Sequence, residues 1–168
     1  DFSVVKEPAQ DKGVKESSPC TGSSDWFLKL RESLHCLFTD FVGFTKIADR
    51  LTPMELVGKL DVYFRKFDEI IVENNLEKIK TIGDAYMCAG GVPVRNNTNP
   101  IDACLAALQI QDYMTKLKYD AIANDGEYWE LRLGINTGEV TAGVIGSERL
   151  AYDVWGATVN QAQRMEML

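Results

Sequence analysis

This chain is short of positive charge. Eighteen lysines and arginines face 25 aspartates and glutamates among 168 residues, leaving a formal net charge of −7. An acidic average surface repels nucleic-acid phosphates, so no nucleic-acid partner is expected. Long apolar runs are missing as well: none approaches the roughly 18 residues of a membrane span. The polar start lacks a signal-peptide core, and the sequence taken alone predicts a soluble, cytoplasmic chain with no membrane segment. There is no GxxxxGK[ST] loop, which argues against a P-loop ATPase. The one histidine, His35, sits inside an apolar stretch and reads as a structural strand residue, not a general base. Four cysteines occur without a CxxC pair. Three of them lie in apolar stretches, which predicts buried, reduced thiols in place of disulfides or a zinc site.

What is present suffices for one domain. The hydrophobic content of 45% is that of an ordinary globular protein. Residues 1–24 stand apart: Lys, Glu, Ser, Gly and Pro dominate, and this stretch reads as a polar linker or disordered arm preceding a domain over 25–168. Asp25 to Arg31 reads either as a short helix or as an anchor packing Trp26 and Phe27.

From Leu34 the pattern is regular. A strand is expected over about Leu34 to Thr39, then a turn through Gly43 and a short helix near Phe44 to Arg50. Thr52 is a suitable N-cap, Pro53 suits the first helical position, and Glu55 can close a capping box. Leu56, Leu60, Phe64, Phe67 and Ile71 then recur at helical spacing, predicting one buried face on a helix that ends near Glu73. Lys78 to Ile82 and Tyr86 to Ala89 read as a hairpin with Asp84 at its tip. A helix opening near Pro100 is expected to bury Ile101, Leu105, Leu108 and Leu117. Trp129, Leu131, Leu133 and Ile135 alternate with polar residues or glycine as a half-buried strand. Asn136 to Glu139 reads as a turn, Val140 to Ile145 as a strand and Ala157 to Leu168 as a helix. Strands separated by crossing helices predict an α/β sandwich with an antiparallel hairpin.

Two aspartates stand out. Asp40, in LFTDFVGFT, and Asp84, in KTIGDAYM, each follow a short apolar run, so both carboxylates emerge at strand ends. Converging carboxylates can hold a pair of Mg²⁺ or Mn²⁺ ions, although aspartate also stabilises turns through its own backbone. Beside Asp40, the segment Phe41, Val42, Gly43, Phe44 and Thr45 leads into a helix start whose free amides can receive phosphate oxygens.

LFTDFVGFT, KTIGDAYM, LRLGINTGEVTAGVIG and YDVWGATVNQAQRM, in this order and spacing, resemble the class III nucleotidyl cyclase catalytic domain over about Leu34 to Leu168. The resemblance implies a ferredoxin-like βαββαβ core of the polymerase-palm type, an α+β fold. It also implies a homodimer with active sites at the interface. Asp40 and Asp84 fall at the positions of the two metal-binding aspartates, with the Phe41 carbonyl as a further ligand. Lys80 and Asp153 fall at the two base-reading positions. A lysine donating to adenine N1 and a carboxylate accepting from the N6 amine match adenine and mispair with guanine; guanylyl cyclases resemble the motif but carry Glu and Cys there. Asn160 and Arg164, four apart and so on one helical face, match the ribose-orienting and transition-state residues.

The implied activity is adenylate cyclase: ATP to 3′,5′-cyclic AMP and pyrophosphate, with two Mg²⁺ or Mn²⁺ ions. Family members carry a triphosphate-gripping lysine on later strands, beyond Leu168, so by that pattern the domain is C-terminally truncated. Ala157 replaces an asparagine usual in the family. Such domains are usually fused to sensors, membrane segments or coiled coils, which makes the cytoplasmic domain of a larger sensor or membrane protein a secondary expectation for location. The competing expectation is a regulatory module that binds nucleotide and metal with weak turnover. A diguanylate-type cyclase is disfavoured because GG(D/E)EF is absent.

Overall fold

In the computed structural model, the described residues are 27–28, 33–92, 97–146, 148 and 151–167. The expected arm over 1–24 and the expected short helix or anchor at Asp25 to Arg31, except 27–28, lie outside them. No helix among the described residues is long and apolar enough to cross a membrane.

The elements run β1 (Phe27–Leu28), β2 (Ser33–Phe41), α1 (Phe44–Ala48), α2 (Pro53–Glu73), β3 (Leu76–Ile82) and β4 (Ala85–Gly90). They continue with α3 (Asn99–Ala123), β5 (Leu131–Glu139), β6 (Thr141–Ile145), β7 (Ala151–Trp155) and α4 (Ala157–Glu166). Four strands form an antiparallel sheet in the order β3-β4-β2-β5, and β1-β6-β7 form a second, three-stranded sheet. The first sheet has the split βαββαβ connectivity of a ferredoxin-like fold, with α2 and α3 as its crossovers.

The pleat of β2 divides the interior into two cores. Leu37 and Phe41 face α2 and α3 with Phe67, Ile71, Tyr86, Ile110 and Trp129. Leu34, Cys36 and Phe38 face the other way with Met87, Val154 and Ala162, under α4 and the smaller sheet. Asp40 continues this second row by alternation, so the row ends in a carboxylate.

Helix α2 forms where its capping signals place it. The Thr52 hydroxyl accepts from the Glu55 amide and Glu55 reaches back to the Thr52 amide at 2.9 Å, closing the box. Leu56, Leu60 and Phe64 pack partly buried against the core that Phe67 and Ile71 complete.

Three expectations need correction. The buried face of α3 consists of Ala103, Ala106, Ala107, Ile110 and Met114, whereas Ile101, Leu105 and Leu108 are exposed. Small side chains let this helix approach the sheet closely, and the leucines fall on the opposite side. Asn136 to Glu139 is not a turn but the end of β5, whose ladder with β2 continues to the Ser33–Glu139 pair. Cys36 and Cys88 are buried, but Cys104 lies exposed on α3.

Candidate active site

Asp40 and Asp84 arrive from different elements. Asp40 is the penultimate residue of β2, and Asp84 follows Gly83, whose φ of 62° lets the chain reverse between β3 and β4. Their carboxyl groups lie close enough for Asp40 to act on Asp84. Partial burial and this contact with Asp40 push the Asp84 carboxyl up to about 6, against the pull of the Asp84 and Phe41 amides. Like-charged groups held together are a donor set that a divalent cation relieves. Among the described residues no cluster of three or more His, Cys, Asp or Glu side chains forms an ion site, so such an ion would rest on these two carboxylates and backbone oxygen. The residues fit that role: both are hard oxygen donors, and Phe41 anchors the backbone beside them. Its ring is buried edge-on to Trp129 at 5.2 Å and against Tyr63 at 5.1 Å.

The following segment turns sharply. Gly43 takes the left-handed conformation, φ 68°, and starts the five-residue α1. The Val42 amide already donates to the Glu130 carbonyl at 2.9 Å. Phe44 packs on Trp129, centroids 6.0 Å apart, while Thr45 is exposed.

Lys80 and Asp153 are brought together across the two sheets: Lys80 Nζ lies 2.7 Å from Asp153 Oδ2. Asp153 Oδ1 accepts from the Val154 amide at 2.8 Å, which fixes the carboxylate's orientation. The pair borders a groove of about 370 Å³ lined by Glu77, Lys78, Ile79, Ala151 and Tyr152. A register shift between Lys78 and Lys80 explains how β3 reaches it. Two residues apart on a regular strand would face the same side. Here Lys78 opposes Cys88 and bonds Asp68 of α2, whereas Lys80 opposes Met87 and turns to the second face. The irregularity at Ile79 re-aims the lysine, a recurrent use of β-bulges beside sites.

Asn160 and Arg164 share the exposed side of α4, with Thr158, Ala162 and Glu166 on its buried side. The helix lies flat on β5 because Gly134 has no side chain. A Cβ there would collide with the Ala162 carbonyl and the Glu166 amide. His35 is structural, as expected: it is buried, its Nδ1 lies 2.6 Å from the Thr137 hydroxyl, and desolvation lowers its pKa.

Sequence reasoning missed two charged residues. Arg132 stands opposite Asp40 in the β2–β5 ladder and places a guanidinium nitrogen 3.0 Å from Asp40 Oδ2. Its Nε lies 2.9 Å from Glu166 Oε1, an ionic contact without hydrogen-bond alignment. Glu166 is only 5% exposed; burial raises its pKa and Asp40 adds to this, while Arg132 opposes. The available signal was a charged residue in the alternation of LRLGIN, on the glycine's side of the strand.

A profile of the adenylate and guanylate cyclase catalytic domain matches residues 29–168. Human guanylyl cyclase C is 40% identical over 139 residues, covering 82% of this chain and 13% of that protein. An adenylate cyclase of Mycobacterium tuberculosis (strain H37Rv) is 43% identical over 130 residues, covering 77% of this chain and 28% of that protein. The guanylate cyclase domain of RhGC from Catenaria anguillulae, in complex with GTP, superposes with a TM-score of 0.74 at 31% identity, covering 82% of this chain and 73% of that one. The adenylyl cyclase CyaB from P. aeruginosa gives 0.73 at 28% identity, covering 81% and 71%. This chain therefore spans a minor part of the length of the curated relatives, and its relatives include cyclases of both base specificities. Together with the split βαββαβ sheet and the paired aspartates, the match over most of its length shows that the chain belongs to the family of adenylate and guanylate cyclase catalytic domains, the class III nucleotidyl cyclases.

Proposed function

We propose that this domain is an adenylate cyclase, forming 3′,5′-cyclic AMP and pyrophosphate from ATP at a site shared by two copies of the chain. The observation that carries the choice of base is the Lys80–Asp153 pair, 2.7 Å apart at the edge of a groove. One is a fixed donor and the other a fixed acceptor, the pattern that adenine N1 and N6 complement and guanine O6 and N1 oppose. Without nucleotide the two groups satisfy each other, so an entering base must exchange their ion pair for two hydrogen bonds of its own.

Asp40, Asp84 and the Phe41 carbonyl would hold two Mg²⁺ or Mn²⁺ ions, which neutralise the triphosphate and lower the pKa of the attacking hydroxyl. The amides of Gly43, Phe44 and Thr45 are the donors left for phosphate oxygens, since that of Val42 is engaged by Glu130. Asn160 orients the ribose so that its 3′-hydroxyl lies in line with the α-phosphorus, and pyrophosphate leaves from the far side. Arg164 stabilises the charge gathering on the α-phosphoryl oxygens. Asn160 and Arg164 sit on the exposed side of α4, the side that can reach another copy. A homodimer then completes two equivalent sites. The guanylyl cyclase domain of RhoGC from Blastocladiella emersonii is a non-canonical dimer in one structure and a monomer in another.

Product analysis with MnATP and MnGTP over a range of protein concentrations tests the proposal. Cyclic AMP in large excess over cyclic GMP, with specific activity rising with protein concentration, is expected. Preferential cyclic GMP formation would overturn the choice of base.

A further inference from the structure

From the Asp40–Arg132–Glu166 chain of contacts we infer that Glu166 is a positioning residue for the metal site, acting through Arg132. The inference rests on the reading of Asp40 and Asp84 as metal ligands. Arg132 is a permanent cation placed against one of those ligands, 3.0 Å from Asp40 Oδ2. Left alone, it would compete with any divalent cation for that oxygen. Glu166 divides its attraction, because Nε of the same guanidinium lies 2.9 Å from Glu166 Oε1.

The placement leaves Glu166 no slack. Its backbone rests on Gly134, two residues from Arg132 on the same face of β5, where a Cβ could not fit. Arg132 Nε and Glu166 Oε1 are buried, and neither has an aligned hydrogen bond among the described residues. A buried ionic contact of this quality contributes little to stability compared with an apolar pair of similar volume. Its position next to a metal-binding carboxylate supplies a reason that packing does not. The net charge of the four groups, Asp40, Asp84, Arg132 and Glu166, is −2 when all are ionised; without Glu166 it is −1, and without Arg132 it is −3. The two single deletions therefore push cation affinity in opposite directions, and the double deletion returns it to its starting value. The same helix carries Asn160 and Arg164 on its outer side, so the seating of α4 and the strength of the metal site are linked through Glu166.

The test is Mn²⁺ binding to the whole chain without nucleotide, read by water-proton relaxation. Glu166→Gln is expected to weaken Mn²⁺ binding by about threefold to tenfold, and Arg132→Gln to tighten it by a similar factor. Arg132→Met with Glu166→Leu, which removes both charges and carries the test where Glu166→Gln fails to fold, is expected within about twofold of wild type. Unchanged affinity in Glu166→Gln, weakening in both single variants, or a double variant as weak as the poorer single one would overturn the inference. A wild-type chain that takes up no Mn²⁺ would instead remove the metal reading beneath it. Since the assay contains no nucleotide, it is indifferent to whether the base is adenine.

Discussion

The carboxylate end of the site and the Lys80–Asp153 end, proposed here to read the base, are built on opposite principles. At one, Asp40 and Asp84 place like charges in contact, and Asp84 holds its proton up to about pH 6. At the other, Lys80 and Asp153 are a complementary pair, 37% and 19% exposed, already satisfied at 2.7 Å. The first would gain stability from an arriving cation, whereas the second would give up a contact to admit a ligand. Affinity in this domain is thus expected to come from metal and phosphate, and selectivity from a pair that only the right base repays.

The largest effect expected is at the crowded end. Asp84→Ala should lower Mn²⁺-dependent cyclic AMP formation by about 100-fold or more, measured as initial rates at saturating MnATP. Near-normal turnover would remove Asp84 from the metal site. At the satisfied end, Lys80→Glu combined with Asp153→Cys should move the ATP to GTP ratio of kcat/KM by about 100-fold toward GTP. An unchanged ratio would take base reading away from both residues. Deleting Ile79 isolates the local geometry from the chemistry. It removes the irregularity that turns Lys80 toward Asp153, and should cut discrimination between ATP and GTP by about tenfold with all polar residues retained.

A subtler contrast lies in pH. The folded-state pKa of Asp84 is raised from 3.8 to about 6, so between these values the folded chain binds the extra proton. The stability tied to it is fully present below about pH 3.8 and is lost as pH rises through 6. Asp84 is half-buried and part of it meets solvent, so screening keeps the effect to a few degrees in Tm. In metal-free protein, Asp84→Asn should be more stable than wild type at pH 7 and equal to it at pH 3.5, by thermal melts; Mn²⁺ at pH 7 should close the gap. Equal melting of both proteins across the range would mean that the two carboxylates do not repel. The smallest effect is a control away from both ends: Thr52→Ala should cost about 1 kcal/mol by urea unfolding and leave base selectivity unchanged.

Much of this was legible from sequence where local chemistry decides the outcome. The capping box of Thr52 and Glu55 and the hairpin tip at Asp84 announce themselves within a few residues. Helix α3 did not, because hydrophobicity alone favours its leucines, while close approach to the sheet favours Ala103, Ala106 and Ala107. The glycine and asparagine of Asn136 to Glu139 suggested a turn. Gly138 instead serves proximity, since a Cβ there would lie 2.6 Å from the Thr158 hydroxyl of α4. At the site, the motif residues were legible, yet Arg132 and Glu166 were not: their meeting depends on the register of β2 with β5 and on how closely α4 rests on Gly134. Those are tertiary facts with no short-range signal.

The shared site is tested most directly by mixing two inactive chains, Asp84→Ala and Arg164→Ala, and assaying cyclic AMP from MnATP. Random pairing leaves one intact site in each mixed dimer, so activity should return to about a quarter of wild type. A mixture as inactive as its components would contradict a site built from two copies of this chain.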